Sequence, residues 1–136
     1  MPSLARDYMS PVVETHPEVM LAEAIQKMLQ ANSRVLVVTD LLSGTIEGLL
    51  TATDILREMS RGEQRLLQVN VARLMTPRQR LVALAEDSVM LDAVEHMSRN
   101  NLHAIVILNA LRPVGVIHQM EVLRWWQDTF AGASST

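Results

Sequence analysis

The residues of this chain best suited to chemistry are Thr51, Thr53 and Asp54, which stand just before an apolar helical pattern. A carboxylate in the first turn of a helix can accept hydrogen bonds from two neighbouring hydroxyls, such as those of a ribose. The threonine hydroxyls and the unpaired N–H groups of the same helix start favour a phosphate, because the helix dipole is positive there. The segment therefore has the groups needed to bind a ribose and a phosphate.

Thr51 and Asp54 also have a purely structural interpretation. A hydroxyl followed three residues later by an acid is the arrangement of a capping box, in which each side chain accepts from the other residue's backbone N–H. Capping boxes are common in ordinary domains, and one pair of residues can serve both roles. Both interpretations stay open on the sequence.

The segment around these residues is part of an internal repeat. Four blocks return in the same order, which makes coincidence a poor explanation and a duplication the better one. Met9-Ser10-Pro11 returns as Met75-Thr76-Pro77, residues 21–28 as 90–97, residues 34–40 as 103–109, and residues 48–57 as 115–124.

Each repeat has the pattern of a strand, a helix, a hairpin of two strands and a second helix. The fold class is therefore α/β (α+β), with two β-α-β-β-α repeats. A unit of about 60 residues is marginal alone, so we expect the two to pack with pseudo-two-fold symmetry. The segments of the first repeat are the strand at Val12-Val13, the helical face of Leu21, Ala24, Ile25 and Met28, the strands at 35–39 and 46–50, and the capped helix from Thr51. The strand that opens the second repeat is expected at 81–84.

The predicted organisation is one repeat at 1–60, a connector at 61–70, a second repeat at 71–130 and a frayed tail at 131–136. With 136 residues, 49% of them hydrophobic, the chain is too short for a large multidomain enzyme and too apolar to be disordered. The absence of cysteine excludes disulfides and thiol catalysis. The chain has no signal-peptide pattern and no apolar run of about 18 residues, so we expect a cytoplasmic protein without a membrane span.

The charge and motif content indicates neither a nucleic-acid partner nor a catalyst. Lys and Arg number 12 against 15 Asp and Glu, which gives no basic field to attract a polyphosphate backbone. No P-loop, Gly-x-Ser-x-Gly or Gly-x-Gly-x-x-Gly motif is present. The histidines have no metal-ligand spacing, so we expect no metal, no required cofactor and no enzymatic activity. They are His16, His96, His103 and His118.

The repeated blocks resemble the CBS domain, named after cystathionine β-synthase, and their duplication resembles a tandem CBS pair. The resemblance covers about residues 5–126 and is carried by Met9-Ser10-Pro11, the strand from Val35 to Asp40, and Gly48-Leu49-Leu50-Thr51-Ala52-Thr53-Asp54. It implies a regulatory sensor whose clefts between the repeats bind AMP, ADP, ATP or S-adenosylmethionine.

The resemblance implies one nucleotide site in each repeat. Arg34 and His103 open the second strand of their repeats, and by resemblance this position reaches the phosphate. An apolar slot for the purine is expected from the first strand. The first site would comprise Val12, Val13, Arg34, Gly48, Thr51, Thr53 and Asp54, and the second Val82, His103, Gly115, His118 and Glu121.

The second repeat departs from the family pattern at its helix start. His118 stands where Thr or Ser is usual, Met120 replaces the second hydroxyl, and Glu121 replaces Asp. Histidine is a poor helix cap, and its ring could pair with a phosphate at mildly acid pH. Two alternatives remain: an altered ligand preference, or an empty degenerate cleft.

Trp125 and Trp126 end the last predicted helix and cannot both lie on one narrow buried face. We expect a homodimer to which these tryptophans contribute, the alternative being a Trp that folds over its own subunit. The expected function is an adenine-nucleotide sensor, in energy sensing for example, that acts on a separate, unidentified protein. The alternative is a ligand-independent dimerisation module that scaffolds a larger assembly.

Overall fold

A computed structural model gives the fold, and it describes residues 2–62 and 64–131. The chain is a mixed α+β protein with two sheets. The helices are α1 (Ala5–Tyr8), α2 (Leu21–Ala31), α3 (Ala52–Ser60), α4 (Val71–Leu74), α5 (Met90–Asn100) and α6 (Gln119–Trp126). The strands are β1 (Glu14–Thr15), β2 (Val35–Thr39), β3 (Ile46–Thr51), β4 (Thr76–Pro77), β5 (Ala83–Ala85), β6 (Ala104–Asn109) and β7 (Arg112–His118).

The two sheets repeat one topology. The first has the order β1-β2-β3-β4 and the second the order β5-β6-β7. In each, the opening strand runs parallel to the next one, which forms an antiparallel hairpin with the third. The predicted β-α-β-β-α order is therefore confirmed in both repeats. The opening strands begin two residues later than predicted, because residues 12–13 and 81–82 are half-buried apolar residues outside the paired parts of the strands.

The short helices α1 and α4 were not predicted. Each has four residues, too few to show a helical period in the sequence. Their first N–H groups are satisfied by other segments: Ala5 donates to the carbonyl of Ser88, and Val71 donates to that of Val19. These hydrogen bonds fix α1 beside the start of α5, and α4 beside the start of α2.

The chain forms two compact units that do not coincide with the sequence repeats. The first-sheet unit consists of residues 12–81, and the second-sheet unit of residues 2–11 with 82–131. Thr76 and Pro77 pair with β3, whereas Ser10 exchanges two hydrogen bonds with Val116 of β7. The Met-Ser/Thr-Pro segment of each repeat therefore belongs to the unit built on the other repeat's sheet. The expected frayed tail lies, from residue 132, outside the described residues.

Each unit has its own apolar core, and the predicted helix face lies in the first. Leu21, Ala24 and Met28 are buried, and Ile25 packs against them, as the spacing predicts. Among the described residues, no helix is long and apolar enough to cross a membrane. Nor does this part of the chain bring together three or more His, Asp or Glu side chains that could hold a metal ion.

Tyr8 gives a pH-dependent prediction for the second-sheet unit. Its hydroxyl donates to Asp128 Oδ2 at 2.9 Å, and this hydrogen bond is the main reason why the pKa of Tyr8 is raised. A raised pKa in the folded state means that the contact stabilises the fold below the ordinary tyrosine pKa and is lost as the pH rises through the folded value. Since Tyr8 is the single tyrosine, ultraviolet absorbance titrates it alone.

We expect the Tyr8 titration midpoint to lie above 10.0, the ordinary pKa of a tyrosine, and to move back towards it in Asp128→Asn. Asp7→Asn is the matched control, because Asp7 contributes less to the shift. Identical midpoints in the parent protein and in Asp128→Asn would contradict the contact.

Candidate functional site

The turn from β3 into α3 forms the predicted capping box. Asp54 N–H donates to Thr51 Oγ1 at 3.2 Å, and Thr51 N–H donates to Asp54 Oδ2 at 3.0 Å. The structural role expected for this pair is therefore confirmed. It also fixes the position of the carboxylate at the first turn of α3.

The capping box leaves the second carboxylate oxygen of Asp54 available. Asp54 Oδ1 lies 3.4 Å from Arg57 Nη1, and the Arg57 side chain is 57% exposed. A surface ion pair of this kind contributes little stability and is easily exchanged. Because each carboxylate oxygen has two lone-pair sites, Oδ1 can still accept a hydrogen bond from a ligand.

Arg34 lies beside the same helix start. It precedes Val35, which pairs with Thr51 across the β2–β3 ladder, and its carbonyl accepts from Ala52 N–H at 2.9 Å. The side chains of Arg34 and Thr53 are both exposed. The structure thus places the four residues at one end of the first sheet, namely Arg34, Thr51, Thr53 and Asp54.

Val12 and Val13 lie just before β1 and are half-buried. Val13 is tied to the sheet, because its carbonyl accepts from Val37 N–H at 2.8 Å. In the second repeat, Val82 is half-buried and packs against the core of its unit, and His103 is exposed beside Ala104, the first residue of β6. Arg34 and His103 thus stand directly before β2 and β6, whereas Val12, Val13 and Val82 lie just before the strands that were predicted to contain them.

The two glycines of the predicted sites have a packing role. A Cβ on Gly48 would stand 2.5 Å from the carbonyl oxygen of Thr76 and 2.8 Å from Met75 Sδ. A Cβ on Gly115 would collide with the side chain of Met9. At both positions glycine lets a Met-Ser/Thr-Pro segment approach the sheet, a reason that the sequence alone did not reveal.

At the helix start of the second repeat, the side chain of Glu121 contacts both the backbone and the side chain of His118. Glu121 Oε1 accepts from His118 N–H at 2.7 Å and lies 2.7 Å from His118 Nδ1. Glu121 is buried, unlike the partly exposed Asp54. One carboxylate oxygen therefore takes both contacts with His118, which the expectation of a poor cap did not foresee. The signal was the His-x-x-Glu spacing, which equals that of Thr51 and Asp54.

The two tryptophans have different environments. Trp125 is buried in the core of the second-sheet unit, whereas Trp126 is 55% exposed. The rings of Trp126 and Phe130 have centroids 4.2 Å apart. Because Trp125 packs within its own chain, the expected contribution to a dimer now depends on Trp126.

Family comparison matches the model of the CBS domain twice, at residues 5–61 and 71–128. The chain belongs to the CBS domain family. The two CBS matches coincide with the two repeats and include the cap of α3 and the His118–Glu121 pair. No curated protein matches the chain by sequence.

Solved CBS structures share the fold of nearly all of the chain. The CBS domain pair of protein MJ0100, in complex with 5′-methylthioadenosine and S-adenosyl-L-methionine, has a TM-score of 0.83 at 20% identity, covering 95% of this chain and 99% of its own. For the CBS protein ATU1752 from Agrobacterium tumefaciens, the TM-score is 0.81 at 22% identity, with coverages of 91% and 99%. CBSX2 in complex with AMP has a TM-score of 0.78 at 17% identity, with coverages of 93% and 98%. At these identities the likeness establishes the fold alone.

Proposed function

We propose that this CBS chain is a regulatory module that binds an adenosine-containing ligand at the start of α3. The observation that supports the proposal is the open oxygen of Asp54, held in place by the capping box and lying beside the exposed Arg34 and Thr53. A carboxylate and a guanidinium at one helix start match a ligand with vicinal hydroxyls and an anionic group. AMP, ADP, ATP and S-adenosylmethionine are the candidates, of which the three nucleotides carry the phosphate.

In this proposal each residue binds a different part of the ligand. Asp54 Oδ1 accepts from the ribose hydroxyls, while Arg34 and the Thr53 hydroxyl bind the phosphate. The half-buried valines 12 and 13 supply apolar surface for the purine. The complexes of MJ0100 and CBSX2 support this choice of ligand class, since both contain adenosine compounds.

Regulation then requires a difference in ligand affinity between two conformations. A ligand that binds one conformation better shifts the population towards it, and a separate protein can respond to that shift. The chain acts in this scheme as a sensor without catalysis of its own. Its partner is a protein whose activity depends on the selected conformation.

Thermal melts with AMP, ATP and S-adenosylmethionine test the proposal. A ligand at 100 times its Kd adds about 2.7 kcal/mol to the free energy of unfolding, which raises the Tm by several degrees. Ribose and inorganic phosphate added together are the matched control, because they lack the purine and the covalent link. If none of the three ligands shifts the Tm at millimolar concentration, the sensor proposal is wrong.

That outcome would favour the alternative function, a ligand-independent dimer that scaffolds an assembly. The feature that favours it is an exposed apolar stripe on α6, formed by Met120, Leu123 and Trp126, which are 64%, 61% and 55% exposed. Residues spaced by three lie on one helix face. Such a stripe, continued by Phe130, suits contact with a second copy of the chain.

The dimer gives a prediction for Trp126→Ala. We expect this variant to be monomeric at micromolar concentration in sedimentation equilibrium, while the parent chain is dimeric, because large aromatic side chains dominate interface energies. Leu29→Ala, which removes an exposed apolar side chain from α2, should leave the mass unchanged. If Trp126→Ala has the mass of the parent, Trp126 does not hold a dimer together.

A further inference from the structure

The first-sheet unit has a second polar region, at the end of the sheet opposite to Asp54. It lies where the parallel strands β1 and β2 end, whereas the α3 cap lies where β2 begins. A concave surface of about 380 Å³ opens there against α2, within the size range of small-molecule sites. It is lined by Thr15, His16, Val19, Glu23, Gln26, Lys27 and Gln30.

Partly buried hydrogen bonds hold the strand ends in this region. Thr39 is 1% exposed, and its hydroxyl donates to Glu14 Oε1 at 2.5 Å. His16 Nδ1 lies 2.9 Å from the carbonyl oxygen of Thr39. A carbonyl can only accept, so Nδ1 donates the proton of this hydrogen bond, and a ring protonated on Nδ1 alone has Nε2 as its acceptor. The imidazole at the edge of the concave surface is therefore oriented by the backbone.

The second-sheet unit has the equivalent strands, β5 and β6, but apolar residues at the equivalent positions. The parallel registers pair Glu14 with Val37 and Ala83 with Val106, which makes Glu14 and Ala83 equivalent. By the same register, Thr15, His16 and Thr39 correspond to Leu84, Ala85 and Leu108. The fold therefore does not need a histidine, a glutamate or a buried threonine at this place. Their presence in one repeat only points to binding.

The α2 side of the region presents two opposite charges. Glu23 and Lys27 stand one helical turn apart, where such residues usually pair. Neither has an ion-pair partner among the residues that the structure describes. Lys27 is the single lysine of the chain. A carboxylate and an ammonium group are thus both available to a ligand.

We propose that this region binds a small zwitterion, an α-amino acid. Its ammonium group would donate to the Glu23 carboxylate and to His16 Nε2, while its carboxylate would accept from Lys27 and a glutamine amide. The charges exclude the obvious alternatives. A polyphosphate would face Glu23. A metal ion would face Lys27, and the residues that the structure describes do not bring together the three ligands that a stable metal site needs.

The histidine ring signals in NMR spectra of the full chain test this proposal, with each of the twenty L-amino acids added alone at millimolar concentration. We expect at least one of them to shift the His16 signals in a saturable way. The signals of His96, His103 and His118 serve as internal references. The corresponding amino acid amide and N-acetyl amino acid, each lacking one of the two charges, should bind at least tenfold more weakly.

The variants Glu23→Gln and Lys27→Gln should each weaken binding at least tenfold, because each removes one charge of the region. Glu18→Gln, the matched loss of an exposed charge nearby, should bind like the parent chain. Asp54→Asn should also keep the His16 response, which separates this site from the nucleotide site. The proposal is overturned if no amino acid gives a saturable His16 shift, or if the amide and N-acetyl forms bind as tightly as the free amino acid.

Discussion

Gly48→Ala is expected to lower the free energy of unfolding by about 1–3 kcal/mol, the usual cost of forcing extra atoms into a packed interior. The new Cβ would stand 2.5 Å from the carbonyl oxygen of Thr76, a backbone atom that cannot rotate away. Gly48 also pairs with Pro77, so removing the clash with Thr76 would require β4 to separate from β3. We therefore expect the Met75-Thr76-Pro77 segment to be the first part of the fold that loses its native contacts.

Urea unfolding measures this loss, and hydrogen exchange of the Leu49 and Thr76 amides locates it. Gly115→Ala is the comparison variant, because its obstacle is the flexible side chain of Met9 rather than a carbonyl. It should cost less than Gly48→Ala. If the parent protein and Gly48→Ala unfold at the same urea concentration, close approach is not the reason for this glycine.

Asp54→Asn is expected to weaken adenosine-ligand binding about tenfold or more with little change in Tm. An amide oxygen can still accept from Thr51 N–H, so the cap survives, but a charge-assisted hydrogen bond to the ribose is lost, which is worth about 1.5–3 kcal/mol. Asp54→Ala should lose binding as well, and in addition about 0.5–2 kcal/mol of stability, because it removes the cap acceptor. Comparing the two variants separates the ligand role from the structural one.

Calorimetric titration measures the binding, and thermal melts measure the stability. Glu58→Gln, which removes a charge from the last turn of the same helix, is the matched control and should bind like the parent chain. Unchanged binding in Asp54→Ala together with a lowered Tm would mean that Asp54 serves the capping box alone.

Local patterns in the sequence were sufficient to predict several elements. The β-branched run from Val35 predicts β2 with the bounds that it has, because all five of its residues are buried. The spacing of Thr51 and Asp54 predicts both hydrogen bonds of the cap, since a capping box involves residues only three apart. Elements that are determined by residues close together in the sequence could thus be predicted.

Features that depend on distant segments were not predictable from local patterns. His16 and Thr39 meet because β1 runs parallel to β2, and no spacing in the sequence indicates that contact. Gly48 was expected at a ligand, and its packing reason became visible only once Thr76 was placed on β3. The four-residue helices α1 and α4 were missed because their N–H groups find partners elsewhere in the chain rather than in a long helical period.

The reciprocal placement of Ser10 and Thr76 has a consequence for a nicked chain. A protease cut between Arg61 and Gly62 would place the two sequence repeats on separate fragments, and each folded unit would then consist of pieces of both fragments. The first fragment would carry Ser10, the pairing partner of Val116, and the second would carry Thr76, the pairing partner of Leu49. Each fragment would therefore pair with a sheet strand of the other fragment. We expect the cut protein to stay associated through the same strand pairings that the intact chain has.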